Sequence, residues 1–171
     1  MTSGWIALDD GRRVRVRDLR ASDRARYRDA VAALSARSRY LRFAAPLPPQ
    51  MTSSLVDRMM QFDGDRHVVH VALTADERRI VGVARFVADA AQPDRGEVAI
   101  AVADEWQHAG LGAALLAGII ERARIAGLRT LTATTLIENA GAARLARSCG
   151  FSPMGTDSGY REYELPLRLA A

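Results

Sequence analysis

Short runs rich in valine, isoleucine and threonine recur along the chain and predict β-strands. In residues 13–17 valine alternates with arginine, as expected of a strand that buries one face. Asp10-Gly11 precedes this run and is a strong hairpin signal, so we expect it to join residues 5–8 to residues 13–17. The same reasoning predicts strands at residues 67–74, 79–88, 97–103, 128–135, 151–156 and 160–165.

Apolar residues spaced three and four positions apart predict amphipathic helices between these strands. The clearest covers residues 110–126, where Leu111, Leu115 and Ile119 form an apolar stripe and Gly127 can end the helix. Residues with capping side chains predict three more: a helix from Ser22-Asp23 to about residue 36, a short one opened by Thr52-Ser53-Ser54, and one over residues 140–149 capped by Asn139. Between the first two of these, Pro46, Pro48 and Pro49 must interrupt regular structure.

The order of these elements predicts one α/β (α+β) domain over residues 1–171, with helices covering a mixed, mostly antiparallel sheet. We expect about six to seven strands and about four helices, and no linker divides the chain. No apolar run approaches the roughly 20 residues that a membrane span needs. The first residues lack a signal-peptide pattern, so we expect a cytoplasmic protein with no membrane partner.

Charge and residue usage narrow the choice of partners. The net charge of +4 comes from arginines spread along the chain, which does not call for a nucleic-acid partner. Cys149 is the one cysteine, so no intrachain disulfide can form. The three histidines do not cluster with carboxylates at metal-ligand spacing, and we expect no metal.

The most informative segment is residues 97–112, in which a strand is followed by a short loop and a glycine-rich helix start. The first turn of a helix presents backbone N–H groups without internal partners, and glycines allow an anion to approach them closely. The segment Gln107 to Gly112 therefore predicts an anion site. The loop lacks the pattern of nucleoside triphosphatases, and the three-glycine dinucleotide pattern is absent. Gly110-x-Gly112 alone is also compatible with a tight turn and a close helix–strand contact.

Two motifs make a specific resemblance. Gln107-x-x-Gly110-x-Gly112, between a strand and an amphipathic helix, resembles the pyrophosphate signature of the GNAT superfamily of N-acetyltransferases. Glu138-Asn139 followed by Gly150-Phe151 resembles the second signature of that superfamily. The resemblance implies the GNAT fold, with acetyl-CoA as co-substrate and an amine as acceptor.

The resemblance also assigns residues to acetyl-CoA. It implies that the strand before the loop splays from its neighbour at a bulge, where pantetheine pairs with the backbone of Ile100, Ala101, Val102 and Ala103. The pyrophosphate would rest on the N–H groups of Gln107, His108, Ala109, Gly110, Leu111 and Gly112. Asn139 would lie near the pantetheine arm. On this basis, Gly112→Asp should abolish cofactor binding by placing a charged side chain where phosphate rests.

Acyl transfer in this family goes by direct attack of the amine, and the resemblance makes Glu97 the candidate general base. Alternatively, Glu97 is an exposed carboxylate or pairs with Arg95. Asp104 and Glu105 are expected to end the strand and face solvent. Cys149 is expected to be a small apolar residue rather than a nucleophile. Many GNAT enzymes have a tyrosine at the position of Ala146, where it protonates the leaving thiolate. This chain lacks that tyrosine, so no general acid is assigned.

A narrower resemblance covers most of the chain. Asp10-Gly11 with residues 13–17, the run Ser38 to Phe43, and the run Phe62 to His67 are similar to the catalytic domain of bacterial Pat-type protein lysine acetyltransferases. This implies acetylation of lysine side chains on metabolic enzymes such as acyl-CoA synthetases, with Tyr40 bordering the acceptor site or merely packing. Small-molecule amine acetylation and non-catalytic acyl-CoA binding remain the alternatives. The oligomeric state is left open.

Overall fold

The computed structural model describes residues 4–45 and 52–167, and within them eight strands form one sheet. The strands are β1 (Gly4–Ala7), β2 (Arg13–Asp18), β3 (His67–Leu73), β4 (Ile80–Ala88), β5 (Arg95–Val102), β6 (Thr130–Leu136), β7 (Ser152–Asp157) and β8 (Tyr160–Pro166). Their order across the sheet is β1-β2-β3-β4-β5-β6-β8-β7. Neighbouring strands in the described chain run antiparallel except β5 and β6, which are parallel.

Helices cover both faces of this sheet. They are α1 (Arg24–Ala33), α2 (Ala36–Phe43), α3 (Ser53–Met59), α4 (Leu111–Ile125) and α5 (Ala140–Ser148). Short 3₁₀ turns lie at Ala21–Asp23 and Asp104–Trp106. None of these helices is long and apolar enough to cross a bilayer, as far as the described chain extends.

The predicted α/β (α+β) class with a mixed, mostly antiparallel sheet is confirmed. The predicted numbers of strands and helices were lower than those in the described chain. The described sheet has eight strands, which matches the eight segments predicted individually, so the overall count of six to seven was too low. The predicted helix from Ser22 to about residue 36 is wrong in extent. Leu34 adopts an extended conformation and ends α1, and Ser35 then caps α2 by accepting a hydrogen bond from the Ser38 amide. The interruption expected at Pro46, Pro48 and Pro49 lies outside the described residues.

The sheet register divides the core into two layers. Residues directly opposite on adjacent antiparallel strands share a face. One face, which includes Phe86, Val98 and Ala133, packs under α4 and α5. The other, which includes Val69 and Val71, packs against Tyr27 and Val31 of α1.

A buried ion pair ties the end of β2 to the start of α1. Asp23 is fully buried, and its two carboxylate oxygens accept hydrogen bonds from Arg17 Nη1 at 2.6 Å and Arg17 Nη2 at 2.9 Å. The Arg20 amide also donates to Asp23, at 2.9 Å. Burial alone would raise the pKa of Asp23, but these hydrogen bonds outweigh it and the pKa lies below its ordinary value of 3.8.

We expect Asp23→Asn to destabilise the protein by about 3 kcal/mol at pH 7, because it leaves the buried Arg17 charge uncompensated. Since the folded pKa is lowered, the stabilisation by Asp23 is complete above about pH 4 and is lost as the pH falls through the folded value. Urea unfolding at pH 7 and below pH 4 measures both effects.

Asp29→Asn is the matched control, because the pair of Asp29 with Arg28 is exposed and should change stability by less than about 0.5 kcal/mol. Equal unfolding midpoints for the two variants at pH 7 would contradict a stabilising role for the buried pair.

Candidate active site

The sheet opens between β5 and β6. Their parallel pairing covers Arg95–Thr130, Gly96–Leu131 and Glu97–Thr132, and the described ladder stops there. Beyond that point β5 stays paired with β4 as far as Val102, while β6 stays paired with β8 as far as Leu136. The two strands therefore diverge from an apex at Glu97. The expected bulge is absent from the β4–β5 ladder, whose register runs without a shift, so the opening comes from the divergence itself.

The register of β5 decides which backbone groups face this opening. Ala103 donates its N–H to Val81 O at 2.9 Å, so Ala103 and Ala101 direct their backbone groups toward β4. The alternate residues Ile100 and Val102 direct theirs toward the opening. Of the four residues predicted to pair with a ligand, Ala101 and Ala103 are thus already engaged by β4.

The loop between β5 and α4 presents a row of free backbone amides. His108 and Gly110 both have left-handed conformations, with φ of 61° and 81°. Within the described chain, the N–H groups from His108 to Ala113 have no protein acceptor, whereas Gln107 N–H donates to Asp104 O at 3.2 Å. Consecutive unpaired amides at a helix start form an anion-binding concavity.

Gln107 acts through its side chain rather than its backbone. Its Nε2 donates to Val102 O at 3.1 Å and lies 3.4 Å from Ser38 Oγ. This side chain therefore connects the end of β5 to α2. The sequence prediction of a Gln107 amide at an anion site is corrected, because that N–H is already bound to Asp104.

The two glycines of the loop have different surroundings. A Cβ at Gly110 would lie 2.9 Å from Asp9 Oδ2, and its φ of 81° also disfavours other residues. A Cβ at Gly112 would instead lie 3.3 Å from Leu145 and 3.9 Å from Val102. The reason given for Gly112→Asp is therefore wrong, because the new side chain would enter the packing between α4 and α5 rather than the open side of the loop.

Asp104 follows β5 and is exposed, as expected, and it also holds the start of α2 against the end of β5. Its carboxylate accepts hydrogen bonds from the Ser35 amide at 3.0 Å, Ser35 Oγ at 2.8 Å and Ser38 Oγ at 2.7 Å. Burial alone would raise the pKa of Asp104, but these donors outweigh it and the pKa is lowered. Glu105, by contrast, forms an exposed pair with Arg79 at 2.8 Å.

Glu97 lies at the apex of the opening, on the same face of the sheet as α2. Its side chain remains exposed to solvent. Arg95 does not pair with it, because Arg95 Nη2 binds Glu164 Oε2 at 2.6 Å. The Glu97 carboxylate has no hydrogen bond or ion pair with any described residue, and it interacts electrostatically with Arg42 of α2. Its carboxylate is thus available to an incoming group.

The second predicted motif forms as a helix start. Asn139 Oδ1 accepts a hydrogen bond from the Ala142 amide at 3.0 Å and caps α5. Cys149, at the other end of α5, is partly buried, and burial raises the pKa of its thiol. A raised pKa keeps the thiol protonated at neutral pH, so it is a poor nucleophile. Ala146 is buried in the core.

A groove of about 450 Å³ lies beside the opening, between α2, the end of β6 and the β7–β8 turn. Tyr40 and Ala44 line one side, and Ile137, Glu138 and Tyr160 line the other. The sequence pointed to Tyr40 but not to the β7–β8 turn, which reaches the groove only through sheet topology. No group of three or more potential metal ligands occurs in the described part of the chain.

The splayed parallel pair, the amide-rich loop and the three-layer fold define an acyltransferase of the GNAT type. Residues 13–152 match the family described as the acetyltransferase (GNAT) domain, which is well over half of the chain. The chain therefore belongs to the GNAT acetyltransferase family. The predicted superfamily is confirmed.

Individual relatives support this assignment. Acetyltransferase PA5475 of Pseudomonas aeruginosa is 33% identical over 150 residues, which cover 86% of this chain and 80% of that protein. The crystal structure of the GNAT domain of S. lividans PAT has a TM-score of 0.89 at 27% identity, covering 96% of this chain and 97% of that one. The predicted resemblance to Pat-type domains is thereby confirmed.

A more distant structure shows that the fold is shared more widely. A phosphinothricin acetyltransferase from Sinorhizobium meliloti, solved in complex with AcCoA, has a TM-score of 0.68 at 22% identity, and the match covers 90% of this chain and 88% of that one.

Proposed function

We propose that this protein transfers an acetyl group from acetyl-CoA to an amine, and that its acceptors are lysine side chains of metabolic enzymes such as acyl-CoA synthetases. The observation that carries the proposal is the combination of unpaired amides at His108 to Ala113 with an unpartnered Glu97 at the apex of one opening. The eight-stranded sheet and its helices act as one acetyltransferase domain. A cytoplasmic location remains a prediction from the sequence.

Acetyl-CoA would occupy the opening between β5 and β6. Its pyrophosphate would accept hydrogen bonds from the amides of His108, Ala109, Gly110, Leu111 and Gly112, where the helix dipole also favours negative charge. Its pantetheine amides would pair with the outward backbone groups of Ile100 and with the N–H of Val102, near Asn139, because Val102 O is already bound by Gln107. These unpaired groups fit such a ligand, and the S. meliloti relative was solved with AcCoA.

Glu97 would act as the general base in direct transfer. A lysine amine has an ordinary pKa of about 10.4 and arrives protonated at pH 7. Glu97, directly or through water, accepts the proton that makes the amine nucleophilic. The amine nitrogen then forms its bond to the thioester carbonyl carbon, and the carbon–sulfur bond breaks to release the thiolate of coenzyme A. The proton that the nitrogen loses as the amide forms passes through water to this thiolate. The partly buried thiol of Cys149 takes no part.

The acceptor class rests on similarity to the S. lividans PAT domain and on the Pat-like runs in the sequence. A small-molecule amine is the second candidate, because the groove beside Tyr40 has a volume suited to a small ligand.

We expect acetyl-CoA to acetylate lysines of acyl-CoA synthetases when this protein is added, above the uncatalysed background. Mass spectrometry of the acceptors measures this. The chain contains no lysine, so every ε-acetyl group found must belong to an acceptor. The second candidate would be supported if acceptor lysines were modified only at the uncatalysed rate while small amines caused the release of coenzyme A thiol from acetyl-CoA.

We expect Glu97→Gln to lower turnover at pH 7 by about a hundredfold or more while acetyl-CoA binding stays unchanged, because general-base assistance is lost. The deficit should shrink at high pH, where the acceptor amine is already neutral. Thiol-release rates against pH measure this. Glu105→Gln is the matched control, and comparable losses in both variants would remove Glu97 from the mechanism.

We expect Gly110→Ala to weaken acetyl-CoA binding at least tenfold, because a Cβ there strains the loop and meets Asp9. Gly127→Ala, with a φ of 79° and open space around its Cβ, has similar backbone strain at the other end of α4. Saturating acetyl-CoA should therefore raise the melting temperature of the wild type and Gly127→Ala far more than that of Gly110→Ala. An equal rise in all three proteins would argue against this loop as the binding site.

A further inference from the structure

Two guanidinium groups lie near the proposed base, on the face of the sheet that α1, α2 and α3 cover. Arg85 projects from β4, where its neighbour across the ladder is Ala99 of β5, one row from Glu97. It is only 9% exposed. Its Nη2 donates to Tyr27 Oη and to Met59 O, both at 2.7 Å. These partners are uncharged, so the positive charge of Arg85 is not neutralised by them.

Arg42 reaches the same region from the last turn of α2. It is partly buried and contacts the Phe43 ring, with its guanidinium carbon 5.0 Å from the ring centroid. No carboxylate in the described chain lies within 4 Å of it. Burial lowers the pKa of Arg42, and the like charge of Arg85 lowers it further, while Tyr27 and Glu97 act in the opposite direction.

The nearby histidine does not add a balancing charge. His67 Nε2 lies 3.5 Å from Arg85 Nη1. Burial and the charge of Arg85 lower the pKa of His67, so its imidazole is neutral at pH 7. Asp63 acts on His67 with a negative charge, but backbone amides of Asp65, Arg66 and His67 bind its carboxylate. Arg42, Arg85 and Glu97 by themselves carry one excess positive charge beside the place where an amine must bind. Elsewhere under α1 the chain neutralises a buried guanidinium directly, as Asp23 does for Arg17.

We propose that Arg42 binds a carboxylate of the acceptor, so that the preferred acceptors carry an acidic group close to the amine that is acetylated. This inference rests on the proposed function, whose acceptor it makes specific. A protonated amine alone would bring a further positive charge into this region. An acceptor with its own carboxylate brings no net charge and supplies the planar anion that a guanidinium binds best.

Arg85 has a different part. Its bonds to Tyr27 and Met59 join β4 to α1 and to the end of α3, so it supports the region while adding positive potential. Arg42 makes no such bonds to the described residues and is the specificity-determining residue.

The carboxylate could come from an Asp or Glu next to an acceptor lysine, or from a free amino acid. Both sources are distinguished by measuring thiol release with matched acceptors. One pair is an N-blocked peptide containing Asp-Lys and its Asn-Lys counterpart. The other pair is a free amino acid and its amide. In whichever pair is acetylated, we expect the acidic acceptor to have a KM at least tenfold lower than that of its neutral counterpart, with a similar kcat.

Arg42→Gln should remove this preference by raising KM for the acidic acceptor about tenfold, and Arg42→Lys should restore part of it. Arg37→Gln is the control, because Arg37 is exposed on the same helix. Acidic and neutral acceptors turned over equally well by the wild type would overturn the inference while leaving the proposed function intact. So would an equal loss on both acceptors in Arg42→Gln. Absence of turnover with every amine would overturn the proposed function, and the inference with it.

Discussion

The divergence of β5 from β6 beyond the Glu97–Thr132 pair is the constraint on which the rest of the site depends. Backbone N–H and C=O groups buried in a protein need partners, and a sheet normally supplies them along its whole length. Here the parallel pair ends after three residue pairs, so the outward groups of Ile100 and Val102 face a gap. A ligand that carries its own amides can replace the missing strand.

The surroundings keep this gap in shape. The Gln107 side chain donates a hydrogen bond to Val102 O, and Asp104 fixes the start of α2 by binding Ser35 and Ser38. These bonds place α2 over β5, which in turn brings Arg42 near Glu97. The tight packing of Gly112 on Leu145 holds α4 close to α5 beneath the loop. The loop amides, the base and the acceptor-side charges are therefore positioned by one connected set of contacts.

Much of this could be predicted from the sequence where local patterns are strong. The apolar stripe of α4, the Asn139 cap and the Asp10-Gly11 hairpin each formed as expected, because spacing and turn chemistry determine them locally. The break at Leu34 was missed, since an extended residue between two helical segments has no clear sequence signal. The anchoring by Asp104 was missed because its partners are more than 60 residues away.

The acceptor-side arginines illustrate the same limit. Arg42 and Arg85 belong to different elements, and neither lies in a recognisable charge pattern; only the fold brings them to one place beside Glu97. The loop amides differ, because a strand, a loop and a glycine-rich helix start already indicate free N–H groups. The prediction was wrong about which backbone amides are free. The Gln107 amide is bound to Asp104 O, and the row of free amides begins at His108.

The most direct test of the central claim is a titration of ¹⁵N-labelled protein with coenzyme A, followed through its backbone amide resonances. We predict large, saturable shifts at His108 to Ala113, together with Ile100 and Val102, and little change at Gly127 on the far end of α4. Saturable binding that leaves the resonances of His108 to Ala113 unmoved, or no binding at all, would contradict the account.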